Sequence, residues 1–466
     1  MFYCREKELM KLNNRYTNNA FECIIIYGRR RVGKTALINE FCKDKPTIYF
    51  SALNAPAHRN LRHLSEAIQL FKDAGSASAP EYRTFEDALS EITHLGQQER
   101  LVFVIDEYPY LAKSDMAFSS LLQHIIDHKW ADSKIYLILC GSSMSFMEKQ
   151  VLGHESPLYG RRTGQFKIEP LTYKETALFS PECSFQENAL IYGITGGVPH
   201  YINKLNIGDD VDGALLDNMF DRSSYLYEEP ENLLKQELRE PSQYSDILAA
   251  IAGGASKMNE IASQCKMDTG ACSKYLNSLM ELGVVKREFP FSNANSRKTI
   301  YSIDDSFFRF WYRFVPDNIA LIQSGRISQL YDKVIKPYLN DFMGQVFERM
   351  CKDYLLYYAN ELPFEVLSIG RWWGNDPTEK KEIEIDIVGE VIEKTSGEKA
   401  YLAVSCKYRN TVIGRDELEL LKHYASVFSH GQKCYYMIFS KCGFTKGLQT
   451  AASNGEVTLV QLNDMF

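Results

Sequence analysis

The stretch ECIIIYGRRRVGKTALINEF, residues 22–41, decides how the N-terminal part of this chain folds. Cys23 to Tyr27 form a β-rich apolar run, Gly28 to Thr35 fit the pattern GxxxxGK[ST], and Ala36, Leu37 and Phe41 resume at helical spacing. The order is strand, loop, helix, the setting in which this pattern cradles phosphate. Gly28 and Gly33 let the backbone curl, so that the N–H groups from Arg29 through Val32 face an anion at a helix N-terminus. Lys34 is then placed to neutralise the β- and γ-oxygens of ATP, and the Thr35 hydroxyl to ligate Mg²⁺. For Arg29, Arg30 and Arg31 two readings stand side by side, a phosphate contact and a solvated basic loop.

A phosphate loop of this kind needs an acidic partner strand. LVFVIDEYPYL, 101–111, supplies five apolar residues followed by Asp106 and Glu107. The carboxylates therefore emerge at the carboxyl end of a buried parallel strand, where open α/β sheets place ligands. Asp106 is expected to hold Mg²⁺ through water and Glu107 to polarise an attacking water. A third apolar run, KIYLILCGSS, 134–143, ends in Ser142 and Ser143, which either sense the γ-phosphate or cap the next helix.

With those segments in view the chain resembles the archaeal-type ATPases, a branch of the AAA+/STAND P-loop NTPases. The resemblance runs through REKEL (5–9), YGRRRVGKT (27–35), VIDEYPYL (104–111), LCGSS (139–143), PLYGRRTGQFKIEPLT (157–172) and ITGGVPHYI (194–202). It implies an ATPase core, residues 1–165, followed by a helical lid, 166–240. It also implies that Arg161 and Arg162 are the family's arginine pair, one of them reaching a γ-phosphate as an arginine finger. A finger acting between subunits would make the protein a homo-oligomer. Gly197 and Pro199 are similar to the lid's glycine–proline signature; a Gly-Gly turn with proline starting a helix is the plainer alternative.

Residues 241–315 change character. Three helical patterns, then VVKREF and RKTIYSID as paired strands, read as a winged helix. Between 254 and 300 there are seven Lys/Arg against four Asp/Glu, in a chain whose net charge is −7. Against DNA, the helix starting near Thr269 would present Ser273, Lys274 and Asn277 to the major groove, with Arg297 and Lys298 on phosphate. The alternative is an internal or protein-facing role. SFFRFWYRFVP, 306–316, repeats Phe307, Phe310, Trp311 and Phe314 at helical spacing and predicts one buried helical face; IQSGRISQL, 322–330, reads as a linker.

The segment 335–466 begins with a helix bearing Glu348. Then come SIGRWWG, KEIEIDIVGE with Asp386 among alternating isoleucines, YLAVSCKYRN ending near Lys407, and the helix RDELELLKHYASVF. This layout is similar to PD-(D/E)xK nucleases, and the family resembled above commonly ends in such a domain. The resemblance makes Asp386 a Mg²⁺ ligand and Lys407 the group that orients water or stabilises the pentacovalent phosphorus. The usual acid two residues before the lysine is here Ser405, a poor ligand for a hard dication. Either the acid has moved, to Glu417 or Glu419, or the site is degenerate and the domain only binds or assembles.

Of the 466 residues 45% are hydrophobic and 24% charged, the composition of a folded protein. The acidic balance excludes a global basic field for nucleic acid, so any such contact is local. Eleven cysteines without a CxxC pair suit reduced thiols, and no stretch resembles a signal peptide or a membrane span. The expectation is a cytoplasmic α/β multidomain protein: P-loop core with a parallel sheet, helical lid, winged helix and C-terminal restriction-endonuclease-like domain. Its function would be Mg²⁺-dependent ATP hydrolysis coupled to DNA engagement. A STAND-like signalling or scaffold ATPase that contacts protein is the alternative.

Overall fold

The apolar runs become strands because each is buried on both faces. In the computed structural model, which describes residues 4–73, 81–208, 210–291, 298–359 and 361–466, α1 (Glu6–Thr17) leads into β1 (Glu22–Tyr27) and α2 (Lys34–Cys42). Then follow β2 (Thr47–Ser51), α3 (Ala57–Lys72), α4 (Phe85–Gln98), β3 (Leu101–Asp106), α5 (Tyr108–Ser114), β4 (Ile135–Gly141) and β5 (Gly164–Lys167). The strands form one parallel sheet of order β2-β3-β4-β1-β5. Successive residues of β1 serve opposite faces: Cys23, Ile25 and Tyr27 pack with Leu89 and Ile92 of α4, while Ile24 and Ile26 pack with Leu37, Ile38 and Phe41 of α2. At about 1.5–3 kcal/mol for each fully buried large apolar side chain, this two-sided core fixes the strand ends that carry the site.

The chain forms two compact units, Met1–Pro170 with Val198–His200, and Leu171–Gly197 with Tyr201–Phe466. This division is coarser than the four segments read from sequence, and β5 runs through the expected 165/166 boundary.

In the second unit, helix Phe185–Thr195 is opened by a Ser184/Glu187 capping box and closed at Gly196, φ +62°. Helices Val211–Met219 and Tyr225–Glu237 follow. Next come α6 (Pro241–Ala252), α7 (Met258–Gln264), α8 (Thr269–Glu281) and an antiparallel ribbon of β6 (Val285–Glu288) and β7 (Ile300–Ile303). Arg297 lies outside the described residues. Helix α9 (Ser306–Phe314), capped by the Asp305 carboxylate, buries Phe307, Phe308, Phe310, Trp311, Tyr312 and Phe314, so more than the single expected face is covered. The stretch expected as a linker is largely helical, Ile319–Gln323 and Ile327–Leu330, broken at Gly325 with φ +71°.

The C-terminal part begins with α10 (Leu339–Asp353) and continues through β8 (Phe364–Asn375), β9 (Glu382–Glu393), β10 (Lys399–Lys407), α11 (Arg415–Ser429), β11 (Cys434–Ser440), α12 (Lys446–Ser453) and β12 (Thr458–Gln461). Its sheet order is β12-β11-β10-β9-β8, antiparallel through β8, β9 and β10 and parallel from β10 to β12. Leu418, Leu421 and Ala425 of α11 bury against Ile385, Ala403 and Ile438, which sets that helix across one face of the sheet. All eleven cysteines are free thiols. Among the described residues no helix is long and apolar enough to cross a membrane.

Candidate active sites

At the carboxyl ends of β1, β3 and β4 the first unit assembles a compact polar group. Gly28, φ +155°, admits no side chain, since a Cβ there would lie 2.3 Å from the Ile168 carbonyl oxygen. Gly33, φ +94°, turns the loop into α2. Lys34 is buried, and its Nζ donates to the carbonyls of Gly28 at 2.9 Å and Arg29 at 2.7 Å, leaving one N–H of the ammonium. Burial pushes its pKa down, against the opposing pull of Cys140, Glu107 and Asp106.

Thr35 Oγ1 donates to Asp106 Oδ2 at 3.2 Å, and the Tyr49 hydroxyl donates to the same oxygen at 2.7 Å. The backbone N–H of Glu107 bonds Asp106 Oδ1 at 3.0 Å, which fixes the carboxylate plane. Glu107 itself is left-handed, φ +51°, a conformation that costs a non-glycine residue about 1–3 kcal/mol. It brings Glu107 Oε2 to the Ser142 hydroxyl at 3.0 Å and the Ser142 N–H at 3.3 Å, joining the ends of β3 and β4. Of the two serines weighed in the sequence, Ser142 is the one tied to the acid. The hydroxyl and carboxylate oxygens of Thr35 and Asp106 are hard donors that fit Mg²⁺.

Val32 is fully buried, and Arg30 Nη2 donates to the Tyr110 hydroxyl at 2.7 Å. Arg31 is left-handed, φ +71°. Pro199 joins this unit beside the loop, its Cγ 4.0 Å from a Cβ built on Gly33. The expected arginine pair is engaged elsewhere. Arg161 makes two 2.8 Å hydrogen bonds to the Asp127 carboxylate, and Arg162 donates to the Leu152 carbonyl at 3.2 Å and lies by the Tyr159 ring. Sequence reasoning missed Tyr49 and the buried Arg5, which donates to the Val32 and Glu169 carbonyls and so holds the phosphate loop from behind. Tyr49's only signal was a polar-tipped residue between the buried Ile48 and Phe50.

A second constellation lies wholly within the other unit. Asp386 on β9 accepts from the Cys406 N–H at 2.7 Å, and Lys407 at the end of β10 reaches Asp386 at 3.6 Å and Glu417 at 3.3 Å. The Ser405 hydroxyl donates to Glu417 Oε1 at 2.7 Å. Burial disfavours the Lys407 charge, but Asp386 and Glu417 more than offset it and raise its pKa. Glu419, the other displaced acid considered, points to solvent and pairs with Arg415 and Lys422. Glu348 on α10 makes no hydrogen bond or ion pair among the described residues; burial, then the Asp386 charge, push its carboxyl up to about 7. Four chemically active side chains from four elements thus converge: Glu348, Asp386, Lys407 and Glu417. A further trio, Asp376, Glu379 and His423, could ligate a metal, although Asp376 is already held by the His423 ring at 2.7 Å and by two turn N–H groups.

A parallel α/β sheet carrying this loop, an acidic strand and a polar third strand defines a P-loop ATPase. A family described as an ATPase domain predominantly from Archaea matches residues 2–205, and one described as Archaea bacterial proteins of unknown function matches 311–419. An uncharacterized protein of Methanocaldococcus jannaschii is 32% identical over 441 residues, covering 92% of this chain and 95% of that one. An uncharacterized ATP-binding protein of the same organism is 49% identical over 45 residues, 10% of this chain and 76% of that one. The Walker-type ATPase of Pyrococcus abyssi shares the fold, with a TM-score of 0.52 and 20% identity over 67% of this chain and 96% of its own. The chain belongs to the archaeal-type ATPase family.

Proposed function

We propose that this protein is an ATP-driven switch in which Mg²⁺-dependent hydrolysis in the first unit governs the engagement of nucleic acid by the second. The observation that carries the reading is the group Lys34, Thr35, Asp106, Glu107 and Ser142, held together by the bonds given above. Loop N–H groups and Lys34 would bind the triphosphate, Thr35 and Asp106 would hold Mg²⁺, and Glu107 would take the proton of the attacking water. When bound, the metal supplies charge neutralisation at the β- and γ-oxygens. Arg161 and Arg162 would reach a γ-phosphate only by leaving Asp127 and Leu152.

The three helices and ribbon of 241–303 are read as a winged helix, with Lys274 and Asn277 exposed on α8. The test is ATP turnover with and without DNA in wild type and Glu107→Gln. Stimulation by DNA supports the switch. Nucleotide-dependent self-association with no nucleic-acid affinity supports the scaffold alternative.

A second reading concerns the C-terminal site. Glu417 bonded to Ser405 favours a displaced acid over a degenerate site, so Asp386, Glu417 and Glu348 would supply oxygens for a divalent metal and Lys407 would face the phosphodiester. Cleavage of single- or double-stranded DNA or RNA with Mg²⁺ or Mn²⁺, abolished by Asp386→Ala, is the expected result. No product under any of these conditions would overturn it.

A further inference from the structure

The second unit contains a cleft of about 1110 Å³. One wall is the turn between α6 and α7, strand β7 and α9; the other is α10 with β8 and β9. Glu348 and Arg371 both line it, and Glu348 feels the charge of Asp386, so the cleft meets the carboxylate–lysine group at Glu348.

Arg309 projects into the cleft with only neutral acceptors, Gln345 Oε1 at 2.7 Å and the Phe342 carbonyl at 2.9 Å, and its guanidinium lies 4.2 Å from the Phe342 ring centroid. No carboxylate among the described residues pairs with it. Burial, then the Arg349 charge, push its pKa down to about 9, with Glu348 and Asp341 opposing. Arg313 and Arg371 also line the cleft, paired with Asp341 at 3.6 Å and with Glu384. Lys257 and Lys298 stand at the helix–ribbon side, Glu382 also lines the cleft, and Trp373 is largely buried behind it. Cations along a groove are what a phosphodiester backbone needs. The volume takes a short single strand, whereas a duplex carries two backbones and a stacked core.

We infer that this cleft is the binding channel for a single-stranded nucleic acid, Arg309 receiving a backbone phosphate and the strand running toward Asp386, Lys407 and Glu417. The inference rests on the proposed nucleic-acid engagement and adds its location. It places the strand in the cleft rather than on the exposed face of α8, where Lys274 and Asn277 lie.

The test uses the full chain and a fluorescent 12-nucleotide oligomer, as single-stranded DNA, single-stranded RNA and blunt duplex DNA. Gly344→Trp is the plug: a Cβ at Gly344 meets no atom within 4 Å, and the residue lines the cleft. Single-strand affinity is expected to fall at least tenfold in Gly344→Trp and in the doubly reversed Lys257→Glu/Arg313→Glu, with the plot of log affinity against log salt flattening by about 0.7 per lost phosphate contact. Lys274→Glu is expected to change it less than twofold. Wild-type binding that survives the plug, or that fails only in Lys274→Glu, would overturn the channel and leave nucleic-acid engagement standing. The absence of any binding by wild type would overturn both. The DNA and RNA arms identify the sugar, and duplex binding indifferent to the plug would put the ligand outside the cleft.

Discussion

At the residue scale the two sites use lysine in opposite ways. Lys34 has its charge disfavoured by burial and balanced by two backbone carbonyls, which leaves one N–H for a phosphate oxygen. A charge-assisted hydrogen bond is worth about 1.5–3 kcal/mol, so Lys34→Ala is expected to weaken ATP binding at least tenfold by calorimetry. Glu107→Gln keeps the bulk and the contact with Ser142 but cannot accept a proton; ATP affinity should persist while turnover drops about 10²–10⁴-fold. Glu348 gives a pH prediction. Its folded pKa of about 7 exceeds the ordinary glutamate value of 4.5 because burial, then Asp386, with Glu384 and Glu288 adding and Arg371 opposing, favour the protonated form. Between those values the folded state binds the extra proton, so stability falls as pH rises from 4.5 through 7, by roughly 3 kcal/mol. In Glu348→Gln the denaturation midpoint at pH 8 should rise, and the pH slope across that window should flatten.

At the element scale, turns rather than strands decide where chemistry sits. The left-handed Glu107 between β3 and α5 sends its carboxylate to Ser142 instead of onward along the strand. Within the segment 166–240, Gly197 has φ +71°, and a Cβ there would lie 1.9 Å from the Leu171 carbonyl oxygen, whose residue in turn donates its N–H to the Gly197 carbonyl at 2.8 Å. Gly197→Ala must break that close approach and should cost about 3 kcal/mol in denaturant unfolding, while Gly208→Ala, with open space around its Cβ, should stay within about 0.5 kcal/mol. These turns were only half legible beforehand: glycine and proline announce a bend, but the carbonyl it presses against comes from a distant segment.

At the scale of the whole molecule, the nucleotide group and the carboxylate–lysine group belong to different compact units, each with its own core. Local changes at one should therefore leave ground-state binding at the other intact. Lys34→Ala should retain the Mn²⁺ affinity of the second site, measured by titration, and Asp386→Asn should retain ATP affinity. A loss of both ligands in either variant would contradict independent sites.

The sequence by itself determined the phosphate loop, its acidic strand and the parallel sheet, because those depend on contiguous runs: an apolar stretch buried on both faces and glycines at fixed offsets. It also marked Asp386, within the alternating strand β9, and Lys407, at the end of β10. Tertiary structure alone decided which acid answers for Ser405, since Glu417 and Glu419 are two residues apart on one helix and differ only in the face that α11 turns to β10. It likewise decided that Arg161 is tied to Asp127 and that Tyr49 and Arg5 brace the nucleotide site. Those are contacts between residues far apart in the chain, and no local pattern encodes a partner that only folding brings near.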